Sequence, residues 1–261
     1  MQPHERIGAA IRAANEDGRT ALVPFVTAGY PEPDEFRNVL RAVAAAGDVA
    51  EIGVPFSDPM ADGMTIQRSS HGAIAKGVSL RWIFEQLESA HGQFDAPLVM
   101  MSYVNPLLAF GFDKLARHAL AAGVCGFIVP DLPLEESAEL RAVLDASGLG
   151  LIQLVTPATP EPRLHRLASV SRGFLYAVTM TGITGSDKGL PADLAAYLEA
   201  VSSISPLPVC AGFGIRSAAE VADVGRHAAG AIIGSALVEV LERGEDPARF
   251  LRRLNTPGGD R

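Results

Sequence analysis

The strongest constraint on the fold is a regular alternation of short apolar runs with longer amphipathic segments. The apolar runs lie at 21–27, 49–54, 97–104, 125–130, 149–156, 173–180, 207–213 and 230–236. The segments between and after them, rich in Ala, Leu and Glu, lie at 34–46, 65–90, 112–122, 135–147, 161–170, 191–204, 217–227 and 236–254. Parallel strands covered on both faces are nearly continuous apolar runs. Eight strands alternating with eight helical segments therefore predict an α/β protein, a single (β/α)8 TIM barrel over residues 1–261.

Two details refine this prediction. Ile7, Ile11 and Ala14 have helical spacing ahead of Gly18, which predicts an extra N-terminal helix. Gly77 and Gly72 fall inside the long segment 65–90, so we expect an interrupted helix there. The alternative fold, an open doubly wound sheet, would need a glycine-rich dinucleotide-binding turn after the first strand, and "VTAGYPEP" lacks it.

Charge and cysteine content restrict the partners. The formal net charge is −8 and no dense block of Lys and Arg occurs, which disfavours nucleic acid as a partner. Cys125 and Cys210 each lie in an apolar run without metal-type spacing, which indicates buried thiols in a reducing compartment. The sequence has no signal-like segment and no apolar run of about 18 residues, so we expect a cytoplasmic chain without a membrane partner.

Three acidic residues follow or interrupt the second apolar run. Active sites of such barrels lie on the loops after the strands. Glu51 lies inside the run, where burial would raise its pKa and suit general acid–base catalysis, unless it forms a salt bridge with a neighbouring strand. Asp58 and Asp62 belong to the loop "PFSDPMADG", where Asp often serves only to form a turn. Residue type alone leaves their roles open.

Other kinds of chemistry find little support. The histidines and cysteines are scattered without metal-ligand spacing, so no metal site is expected. No nucleophile elbow occurs, which disfavours nucleophilic catalysis. Lys188 could form a Schiff base, but its loop "TGITGSDKGL" is rich in glycine and such lysines need a desolvated pocket.

Glycine-containing loops follow the last three apolar runs. They are "TGITG" (181–185), "AGFGI" (211–215) and "IGSAL" (233–237). Barrels of this kind often bind phosphate with the loops after strands seven and eight and the N-terminus of a short helix. Ordinary tight turning is the alternative interpretation. A phosphate seat near a buried acid suits proton transfer on a small phosphorylated substrate without a metal.

The order and spacing of several motifs resemble one enzyme family. The motifs are "VPFVTAGYP", "EIGVPFSDPMADGMTIQ", "FIVPDLPLEES", "TGITG", "GFGI" and "IIGSALV". Together they resemble the α subunit of tryptophan synthase over nearly the whole chain. The resemblance implies a lyase of L-tryptophan biosynthesis that cleaves indole-3-glycerol phosphate to indole and glyceraldehyde 3-phosphate by a retro-aldol reaction. It also implies an α2β2 complex in which a β subunit receives the indole. Pyridoxal phosphate is then expected only in the β subunit, and no cofactor is expected in this chain.

The resemblance assigns roles to individual residues. Glu51 would be the acid–base group and Asp62 the partner of the indole nitrogen, while Asp58 would face the β subunit. Tyr176 would line the site and assist Glu51. The residues implied to bind the substrate are Phe25 and Tyr103 as apolar walls, Gly185, Gly214, Gly234 and Ser235 at the phosphate, and Thr184, which would close the site and bridge to Asp62.

One position departs from the family pattern. Met64 stands where the family commonly has proline, so the loop is expected to be freer. The loops 54–62 and 179–192 are expected to close together over the substrate. Three alternatives stay open: a stand-alone lyase releasing free indole, a non-catalytic activator of a β subunit, and a phosphosugar isomerase or epimerase on the same barrel.

Overall fold

Eight parallel strands form a closed barrel in which each strand pairs with the next and the last pairs with the first. The structure is a computed structural model that describes residues 1–178, 192–212 and 214–255. The strands are β1 Ala21–Thr27, β2 Ala50–Gly53, β3 Leu98–Met101, β4 Val124–Ile128, β5 Gly150–Val155, β6 Leu175–Val178, β7 Val209–Gly212 and β8 Gly230–Ile233. The predicted barrel is thus confirmed, and each strand lies within or one residue outside its apolar run.

The helices surround this barrel. They are α1 Pro3–Glu16, α2 Phe36–Ala44, α3 Met64–Ala75, α4 Leu80–Ser89, α5 Val104–Phe110, α6 Phe112–Ala121, α7 Ala138–Ala146, α8 Glu161–Val170, α9 Ala192–Ile204, α10 Ala218–Gly225, α11 Ser235–Glu242 and α12 Pro247–Leu254. Short 3₁₀ turns precede α2 and α7 at Pro33–Glu35 and Leu134–Glu136. None of the helices in the described ranges is long and apolar enough to cross a membrane.

The buried side chains form two layers separated by the sheet. The outer layer, between strands and helices, contains Leu22, Ile52, Met100 and Phe127. The inner layer fills the barrel and includes Phe174. Helix α1 contributes its buried face to this inner layer and packs against β1 and β4. The predicted N-terminal helix therefore completes the barrel core.

The helices differ from the predicted segments at two places, and one further helix was not predicted. The predicted interruption of 65–90 lies at Gly77, between α3 and α4, whereas Gly72 is inside α3. The single helix predicted over 236–254 is wrong, because α11 ends at Glu242 and α12 begins at Pro247. Proline cannot donate a backbone N–H and starts a helix more readily than it continues one. Helix α5 was not predicted, since its residues followed an apolar run without a clear boundary.

Candidate active site

A cavity of about 260 Å³ lies at the carboxyl ends of the strands. Among its lining residues are Glu51 from β2, Asp62 from the following loop, and Gly234 with Ser235 at the start of α11. The cavity thus brings two carboxyl groups and a helix N-terminus together. These residues are up to 184 positions apart in sequence, from Glu51 to Ser235.

Glu51 points into the barrel because of strand alternation. Its neighbours Ala50 and Ile52 belong to the outer layer, so the side chain between them faces the opposite side. Glu51 is only 1% exposed, and its Oε2 atom has no hydrogen-bond partner among the described residues. The pKa of Glu51 is raised from 4.5 to about 8, mainly by burial and to a smaller extent by the charge of Asp62. The alternative of a salt bridge to a neighbouring strand is not found in the described parts of the chain. At neutral pH Glu51 is therefore a protonated acid facing the cavity.

Asp62 lies in a less buried environment. Burial raises its pKa from 3.8 to about 6, and a hydrogen bond with Tyr103 acts in the opposite direction. The Ala61 N–H donates to the Tyr103 hydroxyl oxygen at 2.8 Å, and the Gln67 side-chain amide donates to the Asp62 carbonyl at 2.9 Å. These contacts hold the loop at both sides of Asp62. The two carboxyl groups of this cavity thus have pKa values of about 8 for Glu51 and about 6 for Asp62. This difference separates a proton donor from an anion near pH 7.

Two aromatic side chains depend on glycines in adjacent strands. A Cβ atom at Gly53 would lie 2.3 Å from the Phe25 ring, and one at Gly212 would lie 2.8 Å from the Tyr176 hydroxyl. The absent side chains leave space for Phe25 and Tyr176 to lie against the strands, where both line the cavity. Burial and then the charge of Glu51 raise the pKa of Tyr176 well above its ordinary value, so its hydroxyl keeps its proton.

The expected phosphate seat is partly within the described residues. Gly214, Gly234 and Ser235 line the cavity at the ends of β7 and β8, and Ser235 is the first residue of α11. The first N–H groups of a helix have no intrahelical acceptor and favour an anion. The expected contributions of Gly185 and Thr184, the possible Schiff-base Lys188 and the closing loop after β6 lie outside the described residues.

Tyr103 supports the cavity from behind the loop. It is 6% exposed, stacks on Phe56 with ring centroids 5.1 Å apart, and contacts the loop through its hydroxyl. We expected Tyr103 to be an apolar wall of the substrate site, but it is absent from the residues lining the cavity, because its ring packs behind the loop and its hydroxyl contacts the loop backbone. The cavity also has apolar wall residues that were not predicted from the sequence: Ile66, Met101, Pro130, Leu154, Val178 and Ile232. For the strand residues, inward alternation within each apolar run was the signal that could have identified them.

Asp58 lies on the surface beside the site. Its side chain is exposed and accepts a hydrogen bond from the Ser57 hydroxyl. It is absent from the residues lining the cavity. The structure thus separates Asp58 from Glu51 and Asp62. No cluster of three or more His, Cys, Asp or Glu side chains within the described ranges could hold a metal ion.

Met64 begins helix α3 directly after the loop that carries Asp62. The residue before it, Gly63, has φ −72° and ψ 163°, an extended conformation that suits the position before proline. Proline is also favoured as the first residue of a helix. We therefore expect Met64→Pro to raise the free energy of unfolding by about 0.4–1 kcal/mol, because proline restricts the unfolded chain. Urea unfolding measures this, with Met64→Ala as the control that removes the side chain without fixing φ. Equal stability of the two variants would contradict the argument.

Comparisons with known proteins agree on one family. The family model described as "Tryptophan synthase alpha chain" matches residues 11–257. A protein of that name from Roseiflexus sp. (strain RS-1) is 47% identical over 254 residues, which cover 94% of this chain and 96% of the relative. The homologue from Nitratidesulfovibrio vulgaris (strain DP4) is 44% identical and covers 95% and 96%, respectively.

Solved structures give the same result. A chain of tryptophan synthase from Mycobacterium tuberculosis superimposes with a TM-score of 0.88 at 33% identity, over 96% of this chain and 97% of that one. Tryptophan synthase subunit alpha from Legionella pneumophila superimposes with a TM-score of 0.86 at 30% identity, over 98% and 97%. Both similarities extend over the whole barrel.

Proposed function

The chain belongs to the tryptophan synthase alpha chain family and cleaves indole-3-glycerol phosphate, and we propose that Glu51 and Asp62 carry out this cleavage. The observation that supports the proposal most strongly is the buried, unpartnered Glu51 carboxyl group facing the same cavity as Asp62. One acid is protonated near neutral pH and the other is ionised, because their pKa values are about 8 and about 6. Retro-aldol cleavage of the side chain from an indole ring needs both a proton donor and an anion.

The first step is protonation of the ring. Glu51 donates its proton to indole C3, which makes that carbon tetrahedral and moves positive charge to the ring nitrogen. Asp62 carries the anion that offsets this charge. Placing the anion in a cavity of low dielectric strengthens the interaction compared with water.

The second step breaks the carbon–carbon bond. The Glu51 carboxylate, having lost its proton, accepts the proton of the hydroxyl group on the carbon attached to C3. The oxygen electrons form the carbonyl of glyceraldehyde 3-phosphate, and the electrons of the broken bond restore the neutral indole ring. One proton is given and one taken, so Glu51 returns to its starting state.

The remaining cavity residues bind and orient the substrate. We propose that Gly214, Gly234 and Ser235 hold the phosphate with backbone N–H groups at the start of α11. Phe25 and Tyr176 provide surfaces for the ring, and the Tyr176 hydroxyl supplies a protonated donor close to Glu51. The phosphate seat and Asp62 would thus engage opposite ends of the substrate.

The family works with a β subunit, and we propose that this chain docks on one in an α2β2 complex. Exposed apolar side chains adjoin Asp58 on the loop after β2 and recur on α5: Met60 is 92% exposed and Leu108 is 53% exposed. Both residues follow the carboxyl ends of strands, β2 and β3, on the side of the barrel that carries the cavity, and exposed apolar side chains there suit a protein partner. The pyridoxal phosphate of the overall synthesis would then belong to the β subunit. Asp58 would contact the surface of that subunit.

Indole release measured by absorbance, with and without a purified tryptophan synthase β subunit, tests the partnership. We expect slow cleavage by the isolated chain and a rise of about 5- to 150-fold with the β subunit, the usual range of coupling between sites. Asp58→Ala should reduce this rise but not the rate of the isolated chain. A fast reaction indifferent to the β subunit would instead identify a stand-alone lyase, and absent cleavage with activation of the β subunit would identify a non-catalytic activator.

A further inference from the structure

Two carboxylates one helical turn apart on α11 each bind an arginine with two hydrogen bonds. The first is Glu242, which accepts from Arg68 of α3 at 2.9 Å and 2.7 Å. The Tyr30 hydroxyl also donates to Glu242, at 2.8 Å. Three separate elements therefore meet at this carboxylate.

The second carboxylate is Glu239. It accepts from Arg216 at 2.6 Å and 2.9 Å, and the Thr65 hydroxyl lies 3.5 Å from it. Arg216 follows Gly214 by two residues on the loop after β7, and Thr65 is the second residue of α3. Helix α11 is thus connected to both α3 and the β7 loop.

Helix α3 follows directly after the loop that carries Asp62. It begins at Met64, two residues after Asp62, and its Gln67 side chain donates to the Asp62 carbonyl at 2.9 Å. A buried hydrogen bond of 2.6 Å between Thr27 and Ser69 joins α3 to β1. A displacement of α3 would therefore move Asp62.

Helix α11 connects this arrangement with the other end of the cavity. Ser235 begins the helix at the proposed phosphate seat, and Glu242 ends it. Seven residues at 1.5 Å rise separate them by about 10 Å. A helix of this length is rigid. The contact of α3 with the last turn of α11 therefore fixes the position of α3 relative to the first turn of α11, where Ser235 lies.

We propose that Arg68 and Glu242, together with Arg216 and Glu239, are positioning residues that fix Asp62 relative to the phosphate seat. The inference depends on the function proposed above for Asp62 and Ser235. Isolated ion pairs on a surface contribute little to global stability, whereas bidentate arginine–carboxylate pairs fix both distance and direction. A displacement of about 1 Å in a reacting group can reduce a rate by 10²-fold, so small changes at the α3–α11 contact should affect turnover.

Arg68→Gln, Glu242→Gln and the double variant test the proposal in the full chain. We expect each single variant to lower kcat for indole release by about three- to tenfold. The affinity for glycerol 3-phosphate, measured by calorimetry, should stay within about twofold, because the phosphate seat does not include α3. The double variant should be no slower than the slower single variant, since the two side chains act as one pair.

The matched control is the ion pair of Arg163 and Glu135, which is also bidentate, with distances of 2.8 Å and 3.0 Å. Glu135→Gln should leave kcat unchanged. Unchanged kcat in the Arg68 and Glu242 variants would overturn the proposal. A loss of kcat accompanied by a loss of glycerol 3-phosphate affinity and a lower Tm would also overturn it, because that combination indicates a general loosening of the structure. Retained cleavage by Glu51→Gln would instead contradict the proposed chemistry, so the two failures are distinguishable.

Discussion

Glu51→Gln is expected to lower the rate of indole release by about 10³-fold, within the range typical of lost general acid–base catalysis. The substitution keeps the shape of the side chain but removes the ionisable group that gives a proton to C3 and accepts one from the hydroxyl group. Steady-state and single-turnover assays on the isolated chain measure the loss. Binding of glycerol 3-phosphate should persist, because the phosphate site is proposed at Gly214, Gly234 and Ser235 and does not include Glu51.

The same variant should not be less stable than the wild type. Between pH 4.5 and about 8 the folded chain keeps the Glu51 proton, while the unfolded chain loses it. Stability therefore falls as pH rises through this window, because the folded state binds more protons than the unfolded state. Glutamine cannot ionise, so at pH 8 the variant is expected to be more stable by on the order of 4 kcal/mol, from a rise of the pKa from 4.5 to about 8 at about 1.4 kcal/mol per pKa unit.

Together the two measurements separate a catalytic loss from a misfolded protein. Activity should fall while the free energy of unfolding at pH 8 rises, a combination that no general disruption of the barrel produces. Asp58→Asn is the matched control, because this exposed acid of the same loop lies outside the cavity lining. Turnover of Glu51→Gln close to that of the wild type would refute the proposed acid–base role.

The strands were the elements best predicted from the sequence, because a strand buried on both faces is a nearly continuous apolar run. Strand β1 matches its apolar run at both ends, and the others differ by a few residues at most. Glu51 could also be identified from its strand, because a carboxyl group inside an apolar run must be neutral, paired or functional. Helix boundaries were harder to predict. The apolar residues of α11 and α12 follow one another closely enough to suggest a single helix, and only Gly244 and Pro247 indicate the break.

Long-range polar contacts were beyond sequence reasoning. Arg68 and Glu242 are 174 residues apart, and each has the ordinary appearance of a charged residue on an exposed helical face. The role of Tyr103 was similarly hidden, because its hydroxyl contacts the Ala61 N–H 42 residues away. Such pairs form only when the closed barrel brings α11 beside α3, so their partners depend on topology rather than on local pattern.

The pH dependence of cleavage should distinguish the two acids. In the wild type, kcat/KM is expected to rise as Asp62 ionises through about pH 6 and to fall as Glu51 loses its proton through about pH 8. The substrate phosphate also has a pKa near 6, so its ionisation contributes to the acidic limb of the profile. The affinity for glycerol 3-phosphate, measured over the same pH range, gives the size of this contribution. A maximum between the two values follows from one acid acting as an anion and the other as a proton donor.

Asp62→Asn should lower kcat by about 10²–10³-fold, the usual cost of losing one electrostatic contact to a developing charge. It should also move the alkaline limb of the profile below pH 8, because the charge of Asp62 contributes to the raised pKa of Glu51. Burial, the larger cause, is unchanged, so the pKa of Glu51 should stay above its ordinary value of 4.5. An alkaline limb that did not move would mean that the two carboxyl groups do not interact through the cavity, and the assignment of the limb to Glu51 would then fail.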